Sequence, residues 1–208
     1  MAYKTYYRRN LPHFQHDGAT FLVNVRLSGS LTGEAIAQLK ADQETALLTI
    51  HRREPNYETR LHLLDEQRRR YFGKFDKVLD AAAFGPRWLS QPEIARLVVD
   101  ALHHRHPTVF ELIAYTIMPN HAHLVISKIP PQIPLHKVMQ SFKQFTAKKA
   151  NLSLGQTGAF WQEESYDHIV RNAAELARII AYVLNNPVKA GLVDDWTKWP
   201  YTYLNPDY

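Results

Sequence analysis

The sequence predicts an α+β fold, a mostly antiparallel sheet covered by helices. Three observations lead there. Short apolar runs with period-two alternation recur along the chain. Longer stretches with helical periodicity lie between them. Two of the strand-like runs, VFELIAYTI (109 to 117) and HAHLVIS (121 to 127), are separated only by the tight turn MPN, which joins neighbouring antiparallel strands.

The elements follow in order. FLVNVRL (21 to 27) sets Phe21, Val23, Val25 and Leu27 against Leu22, Asn24 and Arg26, the pattern of a half-buried first strand. From about 31 to 83 the composition changes to long charged helical stretches broken by EPN at 54 to 56, which predicts a helical hairpin inserted after that strand. QPEIARLVVDALHH (91 to 104) is a helix entered through Pro92 in its first turn. After the two strands, LHKVMQSFKQFTAKKA (135 to 150) places Leu135, Val138, Met139, Phe142 and Phe145 on one helical face. AFWQEESYDHIV reads as a strand or two short extended pieces. NAAELARIIAYVLNN (172 to 186) is a helix with Asn172 as N-cap, Glu175 in capping-box position, and Leu176, Ile179, Ile180, Val183 and Leu184 as its buried stripe. The whole reads as one domain, 1 to 208, carrying an insertion.

Composition narrows the chemistry. There is no cysteine, so disulfide frameworks and thiolate metal sites are excluded, and any metal is held through nitrogen and oxygen. No apolar run approaches the roughly 20 residues of a membrane span, and the start of the chain lacks a signal-peptide core, so a soluble cytoplasmic protein without membrane partners is expected. A formal net charge of +5 with 11 histidines and 12% aromatic residues favours a polyanionic partner such as nucleic acid.

Two motifs carry candidate chemistry. In HAHLVIS, Ala122, Leu124 and Ile126 form an apolar face, and His121 and His123 point the other way, together. Such a pair is either locally bonded or solvent-facing, or it holds a divalent cation, since imidazoles at i and i+2 of a strand reach one ion. The ion needs further ligands from elsewhere. Tyr182 lies off the apolar stripe of its helix, on a flank shared with Glu175, Arg178 and Asn186, and Pro187 ends the helix where the Asn186 amide is presented.

MPNHAHLVI, SFKQFTAKKA, GAFWQEESYDHIVRN and IIAYVLNNPVKAGLV together resemble the REP-associated tyrosine transposases, single-tyrosine HUH transposases of the IS200-like superfamily. The resemblance spans roughly 10 to 30 and 85 to 200. It implies a ferredoxin-like antiparallel sheet, the HUH endonuclease fold, with the tyrosine on a following helix. It also implies that His121 and His123 bind a divalent metal, Mg2+ or Mn2+, that Asn186 completes the site, and that Tyr182 is the nucleophile. The implied activity is metal-dependent cleavage and rejoining of single-stranded DNA through a 5′-phosphotyrosine intermediate, at hairpin-forming repetitive sequences. Assembly as monomer or homodimer is left open. The resemblance does not extend to the insertion at 31 to 83.

Nearby Tyr166 and His168 are alternative site residues, Tyr166 as nucleophile and His168 as an extra ligand or base. For DNA contacts the candidates are Lys4, Arg8 and Arg9, set among tyrosines near the start, Arg26 on the polar face of the first strand, and Lys143, followed by Lys148 and Lys149, on the helix after the histidines. Two other readings compete. One is a domesticated hairpin-binding protein with little cleavage activity. The other is a zinc hydrolase, against which LVISKIP after His123 supplies no further ligand.

Overall fold

The computed structural model describes residues 6–8, 12–14, 18–81 and 84–208. It divides into two compact units, residues 29–85 and the remainder of the chain.

The larger unit is built on a five-stranded antiparallel sheet. Its strands are β3 (Thr20–Arg26), β4 (Glu111–Ile117), β5 (His121–Ser127), β6 (Tyr166–Val170) and β7 (Thr202–Leu204), in spatial order β6-β3-β5-β4-β7. A separate two-stranded ribbon, β1 (Tyr6–Arg8) with β2 (Pro12–Phe14), precedes them. Leaving out β7, the sheet has the 4-1-3-2 order of a βαββαβ ferredoxin-like fold, so the expected α+β architecture is the observed one.

Helices α3 (Pro92–His103) and α4 (Leu135–Ser153) supply the two crossovers and pack on one face of this sheet. Ile94, Val98 and Leu102 of α3 and Leu135, Met139 and Phe142 of α4 close over Phe21, Val23, Val25, Leu112, Leu124 and Ile126. Burying a side chain the size of Phe142, which is fully enclosed, stabilises by about 1.5–3 kcal/mol. One expected member of the α4 stripe is absent. Phe145 is 47% exposed, and Thr146 is buried in its place. Its hydroxyl donates to Phe142 O (2.8 Å) and accepts from Trp161 Nε1 (2.8 Å), so an indole that needs an acceptor selects the polar residue.

Strands β3 and β5 are buried on both faces, not half-buried as the alternation of β3 suggests; Leu22 and Asn24 are as enclosed as their neighbours. Part of the reason is α5 (Ala173–Leu184), which contacts β4, β5 and β7 and carries the Tyr182 ring onto His123 of the second face. A four-residue helix α6 (Asn186–Lys189) follows at once, with Pro187 in its first turn. The expected apolar stripe of α5 is only partly realised. Val183 and Leu184 are buried, Leu176, Ile179 and Ile180 are half-buried, and Glu175 is enclosed instead.

The smaller unit is a helical hairpin, α1 (Gly33–Arg53) and α2 (Tyr57–Asp80), where the sequence suggests an insertion at 31 to 83. Thr32 caps α1 by accepting from Ala35 N (3.1 Å), and Asn56 caps α2 by accepting from Thr59 N (2.9 Å). Its two ends meet at Gly29 and Gly85. A Cβ on Gly85, whose φ is +79°, would stand 2.1 Å from Gly29 O, so only glycine allows this approach. Among the described residues no helix is long and apolar enough to cross a membrane.

Candidate active site

The site is built on β5, the middle strand of the sheet. His121 and His123 point to one face and are both fully buried. Their Nε2 atoms are hydrogen-bonded to each other at 3.0 Å and the rings stand at 88°. His121 Nδ1 lies 2.7 Å from Asn120 Oδ1. An amide oxygen only accepts, so this bond puts the His121 proton on Nδ1 and leaves Nε2 as a lone pair. Two nitrogens bound at about 2.1 Å in adjacent positions of an octahedral cation stand about 3.0 Å apart. The spacing of the pair fits such an ion, and imidazole nitrogens suit a divalent metal.

Strand register extends the same face sideways. Thr202, Thr116, His123, Asn24 and Tyr166 lie in one row across β7, β4, β5, β3 and β6. Thr116 and Thr202 close one end of the row through their hydroxyls, 2.9 Å apart. Arg26 pairs in register with His121 and therefore flanks the site. Tyr166 is two strands from His123, roughly 10 Å between backbones.

Tyr182 is brought directly against the histidines. Its ring meets that of His123 edge to face, with centroids 5.6 Å apart and planes at 78°. Lys189 Nζ sits 4.0 Å from the centroid of the Tyr182 ring, a cation over the π-face. Asn186, four residues beyond Tyr182, is fully buried at the start of α6.

Other sequence candidates fall elsewhere. Lys143 is on α4, across the sheet from Tyr182, and its ammonium donates to Gln162 O (3.1 Å), Glu163 O (2.6 Å) and Ser165 Oγ (3.1 Å). With three donors spent on that loop, Lys143 serves to fix the chain before β6 and is withdrawn as a DNA contact. His168 Nε2 bonds Glu175 Oε1 at 3.1 Å, so the structure ties it to α5 rather than to the histidine pair. Lys4 and Arg9 lie outside the described residues, as does the side chain of Arg8, whose backbone ends β1. Sequence reasoning missed Asn120 and Lys189; the only signal was their place beside motifs already singled out.

Residues 101–186, which hold the H-x-H pair of the middle strand and the tyrosine helix on the same face, match the family model of the IS200-like transposases. The chain is also similar to REP-associated tyrosine transposases. The chain is 28% identical over 108 residues to a REP-associated tyrosine transposase assigned in Haemophilus influenzae, covering 47% of this chain and 61% of that protein. It is 24% identical over 98 residues to the REP-associated tyrosine transposase of Escherichia coli, covering 47% of this chain and 56% of the other. The chain thus spans about three fifths of the length of these curated relatives. A solved REP-associated tyrosine transposase, bound to a REP hairpin, superposes with a TM-score of 0.51 at 18% identity over 94% of this chain and 80% of that one. That likeness establishes a shared fold.

Proposed function

We propose that this protein is a metal-dependent single-stranded DNA endonuclease and strand transferase that acts at hairpin-forming sequences. The observation that carries the reading is the Tyr182 ring 5.6 Å from His123, whose Nε2 is 3.0 Å from that of His121. The similar proteins are REP-associated tyrosine transposases, one of them solved with a REP hairpin bound.

His121, His123 and Asn186 would hold Mg2+ or Mn2+, which supplies positive charge against the oxygens of the scissile phosphate. Tyr182 Oη attacks phosphorus. The new O–P bond forms a 5′-phosphotyrosine, the P–O3′ bond breaks, and the phenolic proton leaves through solvent to the freed 3′-oxygen. The reverse attack by a 3′-hydroxyl rejoins DNA and restores Tyr182. One phosphoester replaces another, so no nucleotide cofactor is consumed. Lys189 over the ring favours the phenolate electrostatically, and Arg26 beside His121 is placed for a phosphate. Lys4, Arg8 and Arg9 remain candidates for further phosphate contacts on chemical grounds alone.

The test is incubation with a labelled hairpin oligonucleotide carrying a single-stranded flank, in the presence of Mn2+. The wild type is expected to form a covalent adduct on a peptide containing Tyr182, and Tyr182→Phe to lose the adduct while binding the hairpin unchanged. An undiminished adduct in Tyr182→Phe would move the nucleophile to another residue such as Tyr166. Tight hairpin binding with no adduct in the wild type would leave only a DNA-binding role.

A further inference from the structure

Helix α5 is held at its two ends by different means. Near its C-terminus Val183 and Leu184 are buried apolar side chains. Over residues 173–182 the only fully enclosed residue is an acid, Glu175, 4% exposed. Its two oxygens are directed to different partners. Oε2 accepts from Arg171 N at 2.8 Å, and Oε1 accepts from His168 Nε2 at 3.1 Å. The Glu175 amide donates to the N-cap Asn172 at 2.9 Å. Capping alone needs only the local bonds. The bond to His168 reaches outside the helix, to the edge strand β6, on the face that also carries His121 and His123.

The position of Glu175 along α5 matters as much as its bonds. Tyr182 follows it by seven residues, so the two fall on one stripe of α5 at about 100° per residue. Val183 and Leu184 fix the C-terminal end, so releasing the Glu175 end lets α5 pivot there, and a rotation of roughly 5° carries a phenol oxygen reaching about 9 Å off the helix axis by just under 1 Å. A misplacement of that size in a reacting group can cost on the order of 100-fold in rate.

We infer that the His168–Glu175 pair is a positioning device that sets the pitch of the tyrosine helix, so that Tyr182 stands against the histidine site. His168 acts through Glu175 and touches no reacting atom. The inference rests on Tyr182 being the nucleophile, and the experiment separates the two ideas.

Three variants carry it. His168→Ala and His168→Phe both remove the ring nitrogen, the second keeping the volume. His168→Gln restores a donor toward Glu175. Hairpin affinity of each is expected within about twofold of wild type, while the single-turnover rate of adduct formation falls roughly tenfold or more in the first two and recovers in the third. Fluorotyrosine at position 182 gives a readout independent of activity: its fluorine resonance should shift or broaden in His168→Ala and His168→Phe and return in His168→Gln. A wild-type rate and an unmoved resonance in His168→Phe overturn the inference, as does equal loss of rate in Phe and Gln variants. A wild type that forms no adduct, yet whose resonance responds to His168, sinks the nucleophile assignment and leaves the positioning tie standing.

Discussion

Asn120 Oδ1, 2.7 Å from His121 Nδ1, decides which nitrogen of that ring carries the proton and which keeps its lone pair. A side chain that orients a metal-binding imidazole in this way typically accounts for a 10- to 100-fold difference in metal affinity. Asn120→Ala is therefore expected to weaken Mn2+ binding, read by electron paramagnetic resonance titration of the DNA-free protein, by roughly 10- to 100-fold. His123→Ala should abolish the signal of bound ion. Unchanged binding in both variants would remove the metal from the histidine pair. The pair itself was legible in sequence because a strand repeats every two residues, so His121 and His123 necessarily share a face. Tyr182 was legible for the opposite reason, its misfit with the stripe of its helix. Lys189 was not legible. On a continuous helix it would stand two turns from Tyr182, but α5 stops at Leu184 and the new turn Asn186–Lys189 returns the ammonium to within 4.0 Å of the ring centre.

At the level of elements, helical periodicity located α3, α4 and α5 to within a few residues, and it failed where a polar group took an apolar place. Thr146 displaced Phe145 because Trp161 needed an acceptor, and Glu175 displaced part of the α5 stripe because His168 and Arg171 N needed one. Neither need is visible until distant segments are brought together. For Glu175 the consequence is a dependence on pH. Burial pushes its carboxyl upward, but the Arg171 N–H and the His168 ring outweigh this, and it titrates below its ordinary value of 4.5. A depressed folded value means the charged carboxylate stabilises the fold fully above the ordinary value and progressively less as pH falls through the depressed one. Glu175→Gln is thus expected to melt below wild type at neutral pH, with the gap closing toward acid. Thermal melts of both proteins between about pH 3 and 7 would show it. A gap of constant size across that range would mean that Glu175 acts by shape alone.

Across the whole molecule, the order of elements carried the topology. A strand, a long helical excursion, two strands joined by MPN, a helix and a further strand leave few right-handed arrangements, and the 4-1-3-2 sheet is one of them. The three-residue strands β1, β2 and β7 are too short to show a period and were invisible in sequence. Charge is also unevenly placed. Between Glu111 and Glu163 there is no acidic residue, whereas Lys128, Lys137, Lys143, Lys148 and Lys149 all fall in that stretch. Lys128 is paired with Glu111 at 2.8 Å and Lys143 is bound to the 162–165 loop. Lys148 and Lys149 are exposed on α4, near the exposed ring of Phe145. If hairpin DNA is held through phosphate contacts on this surface, each lysine that displaces a counterion contributes roughly 0.7 to 0.9 to the slope of log affinity against log salt. Fluorescence anisotropy with a hairpin oligonucleotide at about 50 to 200 mM salt should then give a steep slope for the wild type, reduced by roughly 1 to 2 in the Lys148→Gln, Lys149→Gln double variant. Adduct formation at saturating DNA should be unaffected, because these lysines lie across the sheet from Tyr182. A double variant with an unaltered slope would place the DNA on other cations, with Arg26 the first to substitute.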